Sequence, residues 1–130
     1  MIEILDTTEV EQFVAMRYSY SRPGQGFIMV YSITSKASLD GLSVYIDQIA
    51  MFKNSSSFPL VVVGNKCDLE DQREVSTETG EAFSNEYNAK FIESSAKANI
   101  YINEIFHTLI TEILAAIPKV NRTRGGCLLL

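Results

Sequence analysis

Continuous apolar runs alternate with segments of helical periodicity along most of the chain. Four runs predict strands, at Met1–Leu5, Gly26–Ile33, Leu60–Gly64 and Lys90–Ser94. The run that begins at Gly26 is too continuous for an edge strand. We therefore expect it to be buried on both faces, in the middle of a sheet.

The segments between the runs carry apolar residues at three- and four-residue spacing, which is typical of amphipathic helices. Four helices are predicted: Glu9–Tyr20, a helix capped by Ser38 that ends at Lys53, a helix capped by Ser76 that ends near Asn88, and Ile102–Ile117. Strands that alternate with helices predict an α/β fold, in which helices cover both faces of a mostly parallel sheet.

Composition and charge narrow the classes of partner. A length of 130 residues with 46% hydrophobic content suits one globular domain. All 16 acidic residues precede Pro118, whereas the basic residues Lys119, Arg122 and Arg124 follow it. An acidic body lacks the clustered basic residues that bind nucleic-acid backbones, so no nucleic-acid partner is expected.

The Leu60–Gly64 strand runs into the loop Asn65-Lys66-Cys67-Asp68, whose residue types suit recognition of guanine. Guanine presents adjacent donors at N1 and N2, and the Asp68 carboxylate can accept from both. Adenine lacks that donor pair. We expect Asn65 to brace the loop and face the acceptor edge of the base, with the Lys66 stem along the base plane. The alternative is an ordinary polar turn.

A second loop, Ser94-Ser95-Ala96-Lys97, follows the next predicted strand. The carboxyl ends of parallel strands meet at one edge of a sheet, so we expect the two loops to lie together. Small residues allow the backbone to approach a ligand, and the Ala96 amide is expected to donate to guanine O6. The alternative is a serine-rich turn that caps the last helix. The predicted guanine-binding residues are Asn65, Lys66, Asp68, Ser95, Ala96 and Lys97.

With both loops in this order, the chain resembles the Ras family of small GTPases. The resemblance is carried by Leu5-Asp6-Thr7, Phe13, Ala15-Met16-Arg17, Gly24-x-Gly26-Phe27, Gly64–Leu69 and Phe91-Ile92-Glu93-x-Ser95-Ala96-Lys97. It implies a P-loop-type α/β fold, with an incomplete Ras-like G domain at residues 1–118 and a flexible tail at residues 119–130. The family's phosphate loop, G-x-x-x-x-G-K-[ST], and its first switch region have no counterpart in the 130 residues.

The resemblance also implies binding of GTP or GDP with Mg²⁺ and membrane-associated signal transduction. Asp6 matches the carboxylate that holds Mg²⁺ through water in relatives. Glu9 replaces a glycine whose amide approaches the terminal phosphate, and Val10 replaces the glutamine that orients the attacking water. Glutamate repels a phosphate, and valine forms no side-chain hydrogen bond, so weak nucleotide binding without the usual hydrolysis is expected.

Two classes of function therefore remain open. The first is a Ras-like small GTPase that binds guanine nucleotides and signals from a membrane. The second is a non-catalytic, prenylated interaction module that no longer cycles nucleotide. The resemblance favours the first, whereas Glu9, Val10 and the unmatched phosphate loop favour the second.

The last four residues, Cys127-Leu128-Leu129-Leu130, form a C-a-a-X box whose terminal leucine favours geranylgeranyl transfer to Cys127. Lys119, Arg122 and Arg124 would each add about 1 kcal/mol towards anionic lipids. The alternative is a leftover apolar tail. The expected partners are a prenyltransferase, the inner membrane leaflet and Ras-type regulators or effectors. The expected location is the cytoplasmic face of the plasma membrane or an endomembrane, with a cytosolic pool.

Overall fold

The structure, a computed structural model, describes residue 4, residues 25–55 and residues 57–116. In chain order its elements are strand β1 (Phe27–Ser32), helix α1 (Lys36–Lys53), strand β2 (Leu60–Asn65), a single 3-10 turn (Glu70–Gln72), helix α2 (Thr77–Glu86), strand β3 (Lys90–Glu93) and helix α3 (Ile102–Ala116). The alternation of strands and helices confirms the predicted α/β class.

The three described strands form one parallel sheet in the order β1-β2-β3. Pairing of β1 with β2 ends with Ser32 opposite Asn65, and pairing of β2 with β3 ends with Gly64 opposite Glu93. The mostly parallel sheet is thus confirmed. Because β2 is the middle strand, its carboxyl end lies beside that of β3.

Successive side chains of β2 face two different helical layers, as the pleat of a strand requires. Val62 packs on one face with Leu42 and Ile46 of α1, while Val61 packs on the other with Ile105 and Leu109 of α3. Burial of each such side chain contributes about 1.5–3 kcal/mol to folding. The sheet therefore has helices on both faces, as predicted.

The prediction that the first described strand is buried on both faces is wrong. Val30 of β1 is 47% exposed. Helix α3 covers only the start of this strand, where Leu109 and Ile113 lie against Gly26 and Ile113 packs near Ile28. Within the described residues β1 also has a neighbouring strand on one side only, whereas β2 has one on each side. Strand β1 is therefore less covered than β2.

The N-cap prediction is wrong for α1 and confirmed for α2. The α1 cap is Ser35, whose Oγ accepts from the Ser38 N–H at 3.2 Å. Ser38 instead ties the helix to β1, because its Oγ accepts from the Ser32 N–H at 3.0 Å. Ser76 caps α2 by accepting from the Thr79 N–H at 3.1 Å.

Several sequence predictions concern residues that the structure does not describe. They include the strand Met1–Leu5 apart from Ile4, the helix Glu9–Tyr20, the end of the last helix at Pro118 and the tail at residues 119–130. The described part contains three strands and three α-helices, compared with the four of each predicted for the whole chain. None of the described helices combines the length and apolarity that a membrane span needs.

The side chain of Tyr31 in β1 is buried and packs between the sheet and α2. A Cβ added at Gly64 would lie 2.7 Å from its hydroxyl oxygen, and one added at Gly80 would collide with the same atom. The hydroxyl finds no hydrogen-bond partner among the described residues. Burial, and then the charge of Glu93, raise the pKa of Tyr31 to about 12.

Replacement of this phenol tests the cost of burying it. Tyr31→Phe keeps the ring and removes a buried hydroxyl without a partner, so we expect the free energy of unfolding to rise by about 1 kcal/mol. Urea denaturation at neutral pH measures the change. Tyr101→Phe is the matched control, since Tyr101 is 58% exposed and its hydroxyl is open to water. Lower stability of Tyr31→Phe would mean that the hydroxyl is satisfied in the folded chain.

Candidate functional site

Main-chain hydrogen bonds continue between β2 and β3 beyond the ends of the strands. The Ser94 N–H donates to the Gly64 carbonyl at 2.8 Å, and the Cys67 N–H donates to the Ser94 carbonyl at 2.9 Å. Ser94 is buried. These bonds fix the position of the first loop, residues 65–68, relative to the second loop, residues 94–97.

Two side-chain hydrogen bonds also join the first loop to the second. Asn65 Oδ1 accepts from the Ala96 N–H at 3.1 Å. Asp68 Oδ1 accepts from the Ser95 hydroxyl at 2.7 Å, a charge-assisted bond. Ser95 is fully buried, and its Oγ also accepts from the Ala98 N–H at 3.0 Å. Four of the six predicted guanine-binding residues are thus brought into direct contact.

The first loop reverses direction at Lys66, which has a left-handed backbone with φ of 67°. The turn is closed by the Leu69 N–H, which donates to the Lys66 carbonyl at 2.9 Å. A left-handed residue other than glycine costs roughly 1–2 kcal/mol, and such residues concentrate at functional sites. The reversal leaves the Lys66 side chain exposed, while Asn65 and Asp68 both contact the second loop.

The second loop and the residues that follow it are closed by main-chain hydrogen bonds between Ser95 and Ile100. The Ile100 N–H donates to the Ser95 carbonyl at 2.9 Å, and the Ser95 N–H donates back at 3.2 Å. Residues 96–99 between them are exposed. Asn99 and Tyr101 have left-handed backbones, with φ of 54° and 60°. The loop therefore presents its main chain at the surface on a fixed base.

Among the polar groups of these loops that make no hydrogen bond within residues 25–55 and 57–116 are Asp68 Oδ2, Asn65 Nδ2 and the Lys97 N–H. The Ala96 N–H, which the sequence led us to expect opposite guanine O6, is held by Asn65 instead. Lys97 is one of the six predicted guanine-binding residues, but the sequence pointed to no particular role for its main-chain amide. Nothing in the residue type could identify it, because any residue but proline offers an N–H.

A tightly paired arginine lies beneath the two loops. Arg73 Nη1 and Nη2 donate to the two carboxylate oxygens of Glu93 at 2.8 and 2.9 Å. Arg73 also donates to the Val75 carbonyl and to Glu70 Oε2, both at 2.9 Å. Each of the Arg73 and Glu93 side chains is 17% exposed. Hydrogen bonding from Arg73 holds the pKa of Glu93 below its ordinary value.

Cys67 faces inward from the first loop. Its side chain packs against the hydrophobic cluster beneath α1. Burial, followed by the negative charges of Glu93 and Asp68, raises the pKa of the thiol. The thiol is therefore protonated at neutral pH and serves as a small packed side chain.

The remaining predicted site residues lie outside the described part of the chain. They are Asp6, proposed to hold Mg²⁺ through water, Glu9 and Val10 of the same loop, and Cys127 of the C-a-a-X box. In residues 25–55 and 57–116 no three His, Cys, Asp or Glu side chains are arranged to hold a metal ion. The Mg²⁺ and lipid assignments therefore stay predictions.

A protein-family model supplies an independent identification. The model for the Ras family matches residues 1–115, which include β1, β2, β3 and both loops. The match supports binding of GTP or GDP, with Mg²⁺, of the kind that small GTPases perform. In general terms it also points to Ras-type regulators or effectors as partners. By this match, and in agreement with its parallel sheet and strand-end loops, the chain belongs to the Ras family.

Proposed function

We propose that the loops at the carboxyl ends of β2 and β3 form one site that recognises the guanine base of GTP or GDP. The observation that carries the proposal is the pair of cross-loop hydrogen bonds, Asn65 with Ala96 and Asp68 with Ser95, at 3.1 and 2.7 Å. These bonds orient the side chains before any ligand arrives. Such pre-orientation lowers the entropy lost on binding.

Asp68 is the residue that reads the donor edge of guanine. The Ser95 hydroxyl donates to one of its carboxylate oxygens, which restricts the orientation of this exposed side chain. A carboxylate has about four lone-pair sites, so the Ser95 bond leaves capacity for the base N1 and N2 donors. Adenine offers an acceptor at N1 and would leave the second oxygen of this carboxylate without a donor.

Asn65 and Lys97 serve the opposite edge of the base. The Asn65 Nδ2 group and the Lys97 N–H are both donors, and neither has an acceptor among the described residues. Guanine presents the acceptors O6 and N7 on that edge, whereas adenine presents the N6 amino group in place of O6. Donors on one side and a carboxylate on the other thus match guanine at both edges. The exposed Lys66 stem is available to lie along the base plane.

The second candidate function is an interaction module that does not cycle nucleotide. The residues that favour it are Glu9 and Val10, which stand where the family has a phosphate-approaching glycine and a water-orienting glutamine. A glutamate there opposes the terminal phosphate, and valine cannot orient water. In this version the chain keeps base recognition and contacts with Ras-type regulators or effectors, but does not hydrolyse GTP. A cycling switch would instead distinguish GTP from GDP in the presence of Mg²⁺.

Membrane residence is the other part of the proposal. A geranylgeranyl group on Cys127, added by a prenyltransferase, would anchor the chain reversibly to the inner leaflet. The basic residues Lys119, Arg122 and Arg124 would attract anionic lipids next to that anchor. The acidic body would be repelled by the same surface, which favours an arrangement with only the tail at the membrane.

Exchange of one atom in Asp68 tests base recognition. Asp68→Asn replaces an acceptor oxygen by a donor, so we expect GDP affinity to fall by about 10- to 100-fold. Xanthine carries a carbonyl in place of the guanine N2 amine, and the new amide can donate to it. Affinity for xanthosine diphosphate should therefore rise in the same variant, as calorimetric titration would measure.

The gain with xanthosine diphosphate rules out misfolding as the cause of the loss with GDP. Asp71→Asn is the matched control, because Asp71 is an exposed acid in the 3-10 turn without a hydrogen bond or ion pair in the described part of the chain. It should leave both affinities unchanged. Equal GDP binding by wild type and Asp68→Asn would overturn the proposal.

Removal of the prenylation cysteine tests the membrane assignment. In eukaryotic cells the tagged chain should divide between membrane and cytosolic fractions, and Cys127→Ser should be confined to the cytosol. Cys67→Ser is the control, since this cysteine is partly buried against the hydrophobic core. Equal membrane fractions for the wild-type chain and Cys127→Ser would refute the lipid anchor.

A further inference from the structure

We propose that Arg73 is a positioning residue for base recognition, acting through its ion pair with Glu93. The inference rests on the proposed function for the identity of the ligand. The contacts between Arg73, Glu93 and the two loops, however, are present in the chain without ligand, so the positioning role can be tested in the free protein.

Glu93 directly precedes the second loop, and Arg73 lies a short distance along the chain after the first. Arg73 follows Asp68 by five residues, after the 3-10 turn, and Glu93 is the last residue of β3, two before Ser95. The ion pair at 2.8 Å and the Asp68–Ser95 hydrogen bond at 2.7 Å therefore close a ring. Two short chain segments form the other sides of that ring. We therefore expect a shift of the end of β3 against the segment around Arg73 to change the contact between Asp68 and Ser95.

The arginine makes use of its whole planar fork. Nη1 and Nη2 hold both oxygens of Glu93, Nη1 also holds the Val75 carbonyl, and Nε bonds Glu70 at 2.9 Å. Nη2 is in addition 2.8 Å from Glu70 Oε2. Arg73 thereby ties the end of β3 to the 3-10 turn and to Val75, which lies just before α2. A lysine supplies the same charge from a single rotating ammonium and cannot reproduce this geometry.

Glu93 is further fixed from the side of α2. Thr77 Oγ1 donates to Glu93 Oε2 at 3.1 Å, so the carboxylate is oriented by two elements. By contrast, the Lys36–Asp40 pair lies within α1, and its side chains are 52% and 64% exposed. That pair joins no separate segments, and surface pairs of this kind contribute little. It provides the matched control for charge loss.

The first test measures hydrogen exchange in the free, full-length chain by NMR. The probes are the amides of Ala96 and Ala98, which donate to Asn65 Oδ1 and Ser95 Oγ. Arg73→Lys should speed exchange at both by about 10-fold, the effect of losing one well-aligned hydrogen bond. The α1 core amides of Leu42 and Ile46 should keep their rates. Lys36→Gln should change neither set of amides.

The second test compares GDP with inosine diphosphate, which lacks the N2 amine. The ratio of their affinities isolates the second bond to Asp68. Arg73→Lys should lower this ratio by about 10-fold, whereas a change in overall stability alone leaves the ratio of the folded protein unchanged. Glu93→Gln should lower it in the same direction, because the ion pair is lost from the other side.

The outcomes separate this inference from the function on which it rests. Unchanged exchange at Ala96 and Ala98 in Arg73→Lys would overturn the positioning role. Equally faster exchange in the α1 core would also overturn it, because Arg73 would then act on stability alone. If the wild-type chain shows no preference for GDP over inosine diphosphate, the proposed function fails. The exchange rates then still decide whether Arg73 positions the loops.

Discussion

The parallel register of β2 against β3 is the constraint on which the site depends. Gly64 lies opposite Glu93, and the Ser94 N–H continues the ladder by donating to the Gly64 carbonyl. Side chains alternate along a strand, so a shift of one residue would exchange the side chains that β2 presents to its two helical layers. The same shift would separate Asp68 from Ser95. Core packing on two faces therefore determines where the polar loops meet.

Close packing next to the loops helps the register of β2 and β3 to determine the positions of the loop residues. Tyr31 fills the space between Gly64, one residue before the first loop, and Gly80 of α2. The Arg73–Glu93 pair lies in the same region, and the negative charge of Glu93 contributes to the raised pKa of Tyr31. A site built on packed strands and helices holds its geometry better than one built on loops alone. The left-handed turn at Lys66 is sustained by this support.

The sequence predicted the three described strands and the meeting of the two loops, because apolar runs and βα alternation are strong local signals. The bounds of β1, β2 and β3 differ from prediction by one residue at some ends. Other features depend on geometry that no local pattern encodes. Ser35 and Ser38 are the same residue type, and tertiary contact with β1 decides which of them caps α1. The pairing of Arg73 with Glu93 spans 20 residues, and the direction of the Ala96 amide follows from backbone turns.

Recognition of guanine by the paired loops is tested most directly by NMR titration of the isotope-labelled chain with GDP and with ADP. We expect saturable shifts with GDP at the Lys97 main-chain amide and the Asn65 side-chain amide, because these donors face the acceptors of the base. ADP at the same concentrations should leave these signals in place. Equal shifts with both nucleotides, or none with GDP at millimolar concentration, would contradict it.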